Sequence, residues 1–131
     1  MNQRSCNRSF EVAQRTSTGN AVFPIESCMY EKRIIWVEGE IDAQAANDFV
    51  KQIVYLNQQN KTEAIKVVIS SNGGSVIHGL AMYDVIQSSK APVETYCVGT
   101  AYSMGAVLFA AGNKRYILEH SKVMLHEPLI G

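Results

Sequence analysis

Three short segments carry side chains suited to acyl-transfer chemistry. Ser71-Asn72-Gly73-Gly74-Ser75 follows an apolar run that ends at Ile69. Two adjacent residues without a Cβ let bare backbone approach a ligand, and N–H groups aimed from such a loop can hold an oxyanion. Ser103 follows a second apolar run and leads into the small residues Gly105 and Ala106. That places its hydroxyl at or near a helix N-terminus, where the positive end of the helix dipole favours developing negative charge and suits a nucleophile. His126, in Met124-Leu125-His126-Glu127-Pro128, closes an apolar stretch and is the type of residue that serves as general base to a serine. Each segment alone has a plainer reading: a strand-to-helix turn, an N-cap serine, a solvated histidine. Their order along the chain makes the set more specific than any member.

The other histidines fit the role less well. His78 is expected in the first, solvent-facing turn of a helix, and His120 in the polar turn Glu119-His120-Ser121. The residue two before Ser103 is not glycine, so the Gly-x-Ser-x-Gly nucleophile elbow is absent. Cys6, Cys28 and Cys97 are odd in number and form no Cys-x-x-Cys pair, so neither a disulfide framework nor a zinc cage is expected, and a reducing compartment is. No metal or cofactor site is expected.

The elements that must position these groups can be read from periodicity. Residues 1–20 are polar and lack an apolar period, which predicts a mobile arm, with a single domain over 21–131. Arg33-Ile34-Ile35-Trp36-Val37 predicts a buried strand that turns at Glu38-Gly39-Glu40. Asp42 is a candidate N-cap for an amphipathic helix of about 16 residues on which Ala46, Phe49, Val50, Ile53 and Leu56 share a face. A strand from Ala64 to Ile69, a helix from Val76 to Ser88 and a strand from Val93 to Val98 follow. A helix starts near Ser103, and Arg115–Leu118 and Lys122–Leu125 read as short strands. Alternating strands and helices predict an α/β fold with a mainly parallel sheet.

Composition narrows the functional classes. With 131 residues, 47% of them hydrophobic and 18% charged, the chain can form one domain with a real core. Twelve basic and twelve acidic side chains cancel, which gives no electrostatic reason to expect nucleic acid or an anionic membrane as partner. The N-terminus has no signal-like apolar segment, and Ala106–Ala111 is far too short to span a bilayer, so a cytoplasmic protein is expected.

The motifs resemble those of the proteolytic subunit of the Clp protease, a compartmentalised serine peptidase. The resemblance runs from about Phe23 to Gly131. It rests on Ser71-Asn72-Gly73-Gly74, Tyr83-Asp84, Tyr102-Ser103-Met104-Gly105-Ala106 and Met124-Leu125-His126-Glu127-Pro128, together with the strand segment Glu31–Val37. It implies a crotonase-like ββα superhelix, Ser103 as nucleophile, His126 as base, and the backbone N–H groups of Gly74 and Met104 as the oxyanion hole. It further implies stacked seven-membered rings, an ATP-dependent unfoldase that feeds in unfolded proteins, and no nucleotide on the peptidase itself.

Three departures accompany the resemblance. Asn72 stands where the family has proline, and Tyr102 where it has a small residue. The family's aspartate, its ring-joining handle helix and its C-terminal elements would fall beyond Gly131, and neither Asp84 nor Glu127 matches that aspartate. A chain truncated in this way is expected to turn over weakly by itself, since a serine protease lacking the orienting acid loses about 10⁴-fold in rate. Two other readings stand beside the endopeptidase. One is a non-catalytic or regulatory subunit that joins mixed rings with a full-length relative. The other is a crotonase-like acyl-CoA enzyme, which the Ser103–His126 pair disfavours.

Overall fold

The computed structural model describes residues 10–126, and its chain divides into two compact units, residues 1–32 and 33–131. In the first unit, β1 (Glu11–Thr16) and β2 (Gly19–Pro24) pair antiparallel, with Thr16 opposite Gly19 across a two-residue turn, and α1 (Ile25–Glu31) follows directly. Thr16 Oγ1 donates to the Gly19 carbonyl at 2.7 Å and so closes the turn. Gln14 Nε2 donates to Cys28 Sγ at 3.2 Å, tying hairpin to helix. Residues 10–20, expected to lack regular structure, thus lie largely in strands. The reason is visible in the burial: Val12, Gln14 and Thr16 alternate with exposed neighbours, but two of the three are polar, so hydrophobicity does not reveal the period of two. Residues 1–9 of that arm lie outside the described residues, and the units divide after Lys32 rather than after residue 20.

The second unit is an α/β layer structure. β3 (Ile34–Ile41), β4 (Ile65–Gly74), β5 (Val93–Tyr102) and β6 (Lys114–Ile117) form a parallel sheet in that order, and β7 (Lys122–Met124) also pairs parallel with β5. Ile35 and Val37, then Ile65, Val67 and Ile69, then Val93, Thr95 and Cys97 are the buried alternate positions of three strands. Onto this packed side go Ala46, Phe49, Ile53 and Leu56 of α2 (Ala43–Gln59), Met82 and Ile86 of α3 (Val76–Ser88), and Met104, Ala106 and Leu108 of α4 (Met104–Ala110). Burying each large aliphatic side chain contributes roughly 1.5–3 kcal/mol, enough for one such face per element to set the layer. Among the described residues, no helix is long and apolar enough to cross a membrane.

Local chemistry explains the boundaries. Asp42 caps α2 as expected, its side chain accepting from Ala45 N at 2.8 Å. The far end of α2 is held by Arg33, which is 6% exposed and has φ 64°. Its guanidinium donates to the carbonyls of Leu56 (3.1 Å), Asn60 (2.9 Å), Glu63 (2.9 Å) and Ala64 (3.4 Å), gathering the end of α2, whose Leu56 carbonyl also accepts from Asn60 N, and the turn that follows. β3 does not turn at Glu38-Gly39-Glu40. A register shift between Glu38 and Glu40 carries the strand on to Ile41, which pairs with Gly74.

Candidate functional site

β4 and β5 both outrun the apolar segments that announce them, and their added residues form the site. β4 continues through Ser71-Asn72-Gly73-Gly74, and Ser71 falls on the buried parity of Val67 and Ile69. It is 2% exposed. Its Oγ donates to the Gly39 carbonyl at 2.6 Å and accepts from Gly73 N at 3.0 Å, which braces the loop against β3 from inside. Ser75 N then donates to the Ile41 carbonyl at 2.8 Å. Its side chain caps α3 by accepting from His78 N. The N–H groups on either side of Gly74 are therefore committed to Ser71 and Ile41.

The tight packing here explains both glycines. Gly73 has φ 105°, and a Cβ built on it would lie 2.9 Å from Ser103 Cβ, 3.0 Å from the Tyr102 carbonyl and 3.2 Å from Met104 N. A Cβ on Gly74 would run into the Ile41 carbonyl. The Gly-Gly loop thus lies directly against Ser103 and the first helical N–H of α4.

Ser103 connects β5 to α4 in an unusual conformation. Its φ of 56° and ψ of −120° lie in a region that non-glycine residues rarely occupy, and its side chain makes no capping hydrogen bond. The N-cap reading of this serine therefore does not describe it. Its backbone carbonyl starts the helix, accepting from Ala106 N at 3.0 Å and Val107 N at 3.2 Å. The first-turn amides of Met104 and Gly105 consequently have no intrahelical acceptor. Backbone strain of this kind costs about 1–3 kcal/mol and persists where the surroundings over-determine it. Here Gly73 presses from one side and β7 holds the other, with Ser103 N donating to the Met124 carbonyl at 2.9 Å.

Tyr102 is opposite Met124 in the β5–β7 register, so His126 lies two residues beyond the residue that holds Ser103. Its side chain is exposed. Glu127 and Pro128 lie outside the described residues. His120 is exposed in its turn, whereas His78, expected to face solvent, is half-buried with Nδ1 2.9 Å from Ser75 Oγ. Tyr102 is half-buried beside the nucleophile position. A cleft of about 560 Å³ opens beside Gly73 and Gly74, with Glu40, Asn72 and Thr100 among its walls. No group of three or more His, Cys, Asp or Glu side chains suited to a metal ion occurs among the described residues.

Ser71 is the site residue that motif reasoning passed over. Its signal was available: a serine at a core-parity position directly after Val67 and Ile69 must find partners for a buried hydroxyl. The Clp protease family model matches residues 17–131 of the chain.

Proposed function

The chain belongs to the Clp protease family, and from that premise we propose that it is a serine endopeptidase subunit working through Ser103 and His126. Ser103 Oγ attacks a peptide carbonyl while His126 takes its proton. The carbonyl π electrons move to oxygen, and the N–H groups of Gly74 and Met104 receive that charge. Collapse breaks the C–N bond, the amine leaves with the proton held by His126, and water then hydrolyses the acyl-enzyme by the reverse assignment of roles. Unfolded proteins or peptides are the substrates, delivered by an ATP-dependent unfoldase to rings of this chain or to mixed rings with a longer relative, in the cytoplasm.

The observation that carries this reading is the strained, uncapped Ser103 set against the Gly73-Gly74 loop and Met104 N. A subunit that only fills a ring position gains nothing from a strained serine whose side chain does not cap its helix. The test follows labelling of Ser103, which reads the nucleophile directly, rather than turnover. A fluorophosphonate probe is expected to label wild type over hours, with Ser103→Ala unlabelled and His126→Ala strongly slowed. Equal labelling of wild type and Ser103→Ala would defeat the proposal.

A further inference from the structure

The strand that delivers Ser103 is poorly held just before it gets there. Between Ile69↔Cys97 and Ser71↔Ala101, β4 advances two residues while β5 advances four, so Val98-Gly99-Thr100 bulges out of the ladder. Gly99, at φ 87°, makes the bend. On its other side, β5 changes partners from β6, which ends opposite Cys97, to β7, which begins opposite Thr100. Backbone pairing is therefore interrupted on both sides at Val98 and Gly99, and it resumes with β7 from Thr100 and with Ser71 of β4 at Ala101.

Side chains bridge the gap. Gly99 N donates to Ser121 Oγ at 2.8 Å, which ties the bulge to the turn before β7. Cys97 Sγ donates to the Lys122 carbonyl at 3.6 Å. On the β4 side, Thr100 Oγ1 donates to Asn72 Oδ1 at 2.9 Å. Asn72 immediately precedes Gly73-Gly74, and Thr100 lies three residues before Ser103. The remaining side-chain and loop bonds of the Gly-Gly segment described above, from Ser71 and Ser75, run towards β3.

We infer that Asn72 and Thr100 are positioning residues: their hydrogen bond reinforces the β4–β5 pairing where it resumes after the bulge, beside Ser71↔Ala101, and sets the spacing between Gly74 N–H and Met104 N–H around Ser103. The inference rests on the proposed catalytic reading. Physically, the bond fixes a relative displacement of two loops. An oxyanion donor is effective only within a few tenths of an ångström of its place, so a modest bond far from the reacting atoms acts on rate more than on global stability. It also makes a definite demand on residue 72, which is a side-chain acceptor that Thr100 can reach.

The test uses the full chain with Asn72→Ala, Thr100→Val, the double variant, and Asn72→Asp, which keeps an accepting oxygen. Two quantities are followed: fluorophosphonate labelling of Ser103, and amide hydrogen exchange along β4, β5, α2 and α3. Each single variant is expected to slow labelling about three- to tenfold, the range one net hydrogen bond supplies. The double variant should be no slower than the slower single, because both remove the same bond. Asn72→Asp should label at close to the wild-type rate. Exchange should quicken at Gly73, Gly74 and Tyr102 while α2 and α3 keep their protection, which separates lost positioning from lost folding.

Additive losses in the double variant, or unchanged exchange at Gly73, Gly74 and Tyr102 in both singles, would overturn the inference. If wild type shows no labelling above Ser103→Ala, the catalytic reading fails on its own. The exchange comparison then decides whether the bridge couples the two loops.

Discussion

Replacing Gly73 by alanine should damage stability and nucleophile chemistry together, and the two effects can be separated. Any L-residue at φ 105° bears a conformational cost of about 1–3 kcal/mol. The new methyl would also sit 2.9 Å from Ser103 Cβ, 3.0 Å from the Tyr102 carbonyl and 3.2 Å from Met104 N. Two of those neighbours are backbone atoms, which cannot swing aside, so the loop and the start of α4 must part by some tenths of an ångström. Overpacking of this kind adds roughly 1–3 kcal/mol, for a total loss of about 2–6 kcal/mol. Because the displaced atoms flank the proposed oxyanion donors, labelling of Ser103 should fall by about 10²-fold, as when one such donor is lost. Gly19→Ala is the control: φ is 128°, but no atom lies within 4 Å of the added Cβ, so only the conformational cost applies. Denaturant unfolding gives the stability difference, and fluorophosphonate kinetics under folding conditions gives the chemical one. Should Gly73→Ala label as fast as Gly19→Ala, the Gly-Gly loop does not shape the surroundings of Ser103, and the reasoning fails.

Other consequences can be tested on the same preparations. Ser103→Gly should be more stable than Ser103→Ala by about 1 kcal/mol, because glycine occupies φ 56°, ψ −120° without strain; equal melting would show that the connection relaxes freely. Arg33→Met should lose about 2–4 kcal/mol in denaturant unfolding, since it strips the carbonyls of Leu56, Asn60, Glu63 and Ala64 of a shared donor, and Arg33→Lys should recover only part of that because an ammonium cannot fork among them. A loss below about 0.5 kcal/mol would mean that water replaces the guanidinium at no cost. Burial raises the Cys97 thiol pKa, and the Tyr96 phenol is raised by burial first and then by the Glu94 carboxylate and Tyr116. Both groups are held protonated in the folded chain. Their contribution is complete below the unfolded-state values and is lost as pH rises through the folded ones, so unfolding midpoints should be level to about pH 8.5 and decline above it. Cys97→Ala should remove the thiol part of that decline, and a midpoint that climbs with alkalinity would contradict the assignment.

Much of the framework was legible because it is local. The periodicity of α3 gives its observed span, Val76–Ser88, and Asp42 marks the start of α2, since a helix reports itself through residues three and four apart and through one capping side chain. The alternation Ile65, Val67, Ile69 gives a strand with one packed face. What misled was equally local. The Glu-Gly-Glu segment reads as a stop, but β3 passes through it because β4 takes up an extra residue between Ser70 and Gly73, and Gly74 and Ser75 then supply partners for Ile41. The hairpin over 11–24 was hidden because its inward positions include Gln14 and Thr16, and a ladder of backbone bonds needs no apolar pattern to close.

For the candidate site, residue types and order single out Ser103, His126 and the Gly-Gly loop, whose missing Cβ atoms already imply close backbone approach, while Gly74 and Met104 as oxyanion donors come only from the family resemblance. The sequence does not say that Ser103 starts α4 with its backbone alone and leaves its side chain out of the cap. That outcome needs Gly73 pressed against its Cβ and Met124 holding its amide, and these partners stand 30 residues before it and 21 after it in the chain. Nor does it say that β7 takes the vacant edge of β5 beyond the Gly99 bulge, which is what sets Met124, two residues before His126, against the Ser103 amide. Periodicity and capping are settled by neighbours a few residues apart, so sequence alone determines elements and candidates. Register, bulges and strained backbone are settled by partners far along the chain, whose pairing exists only once the sheet has formed.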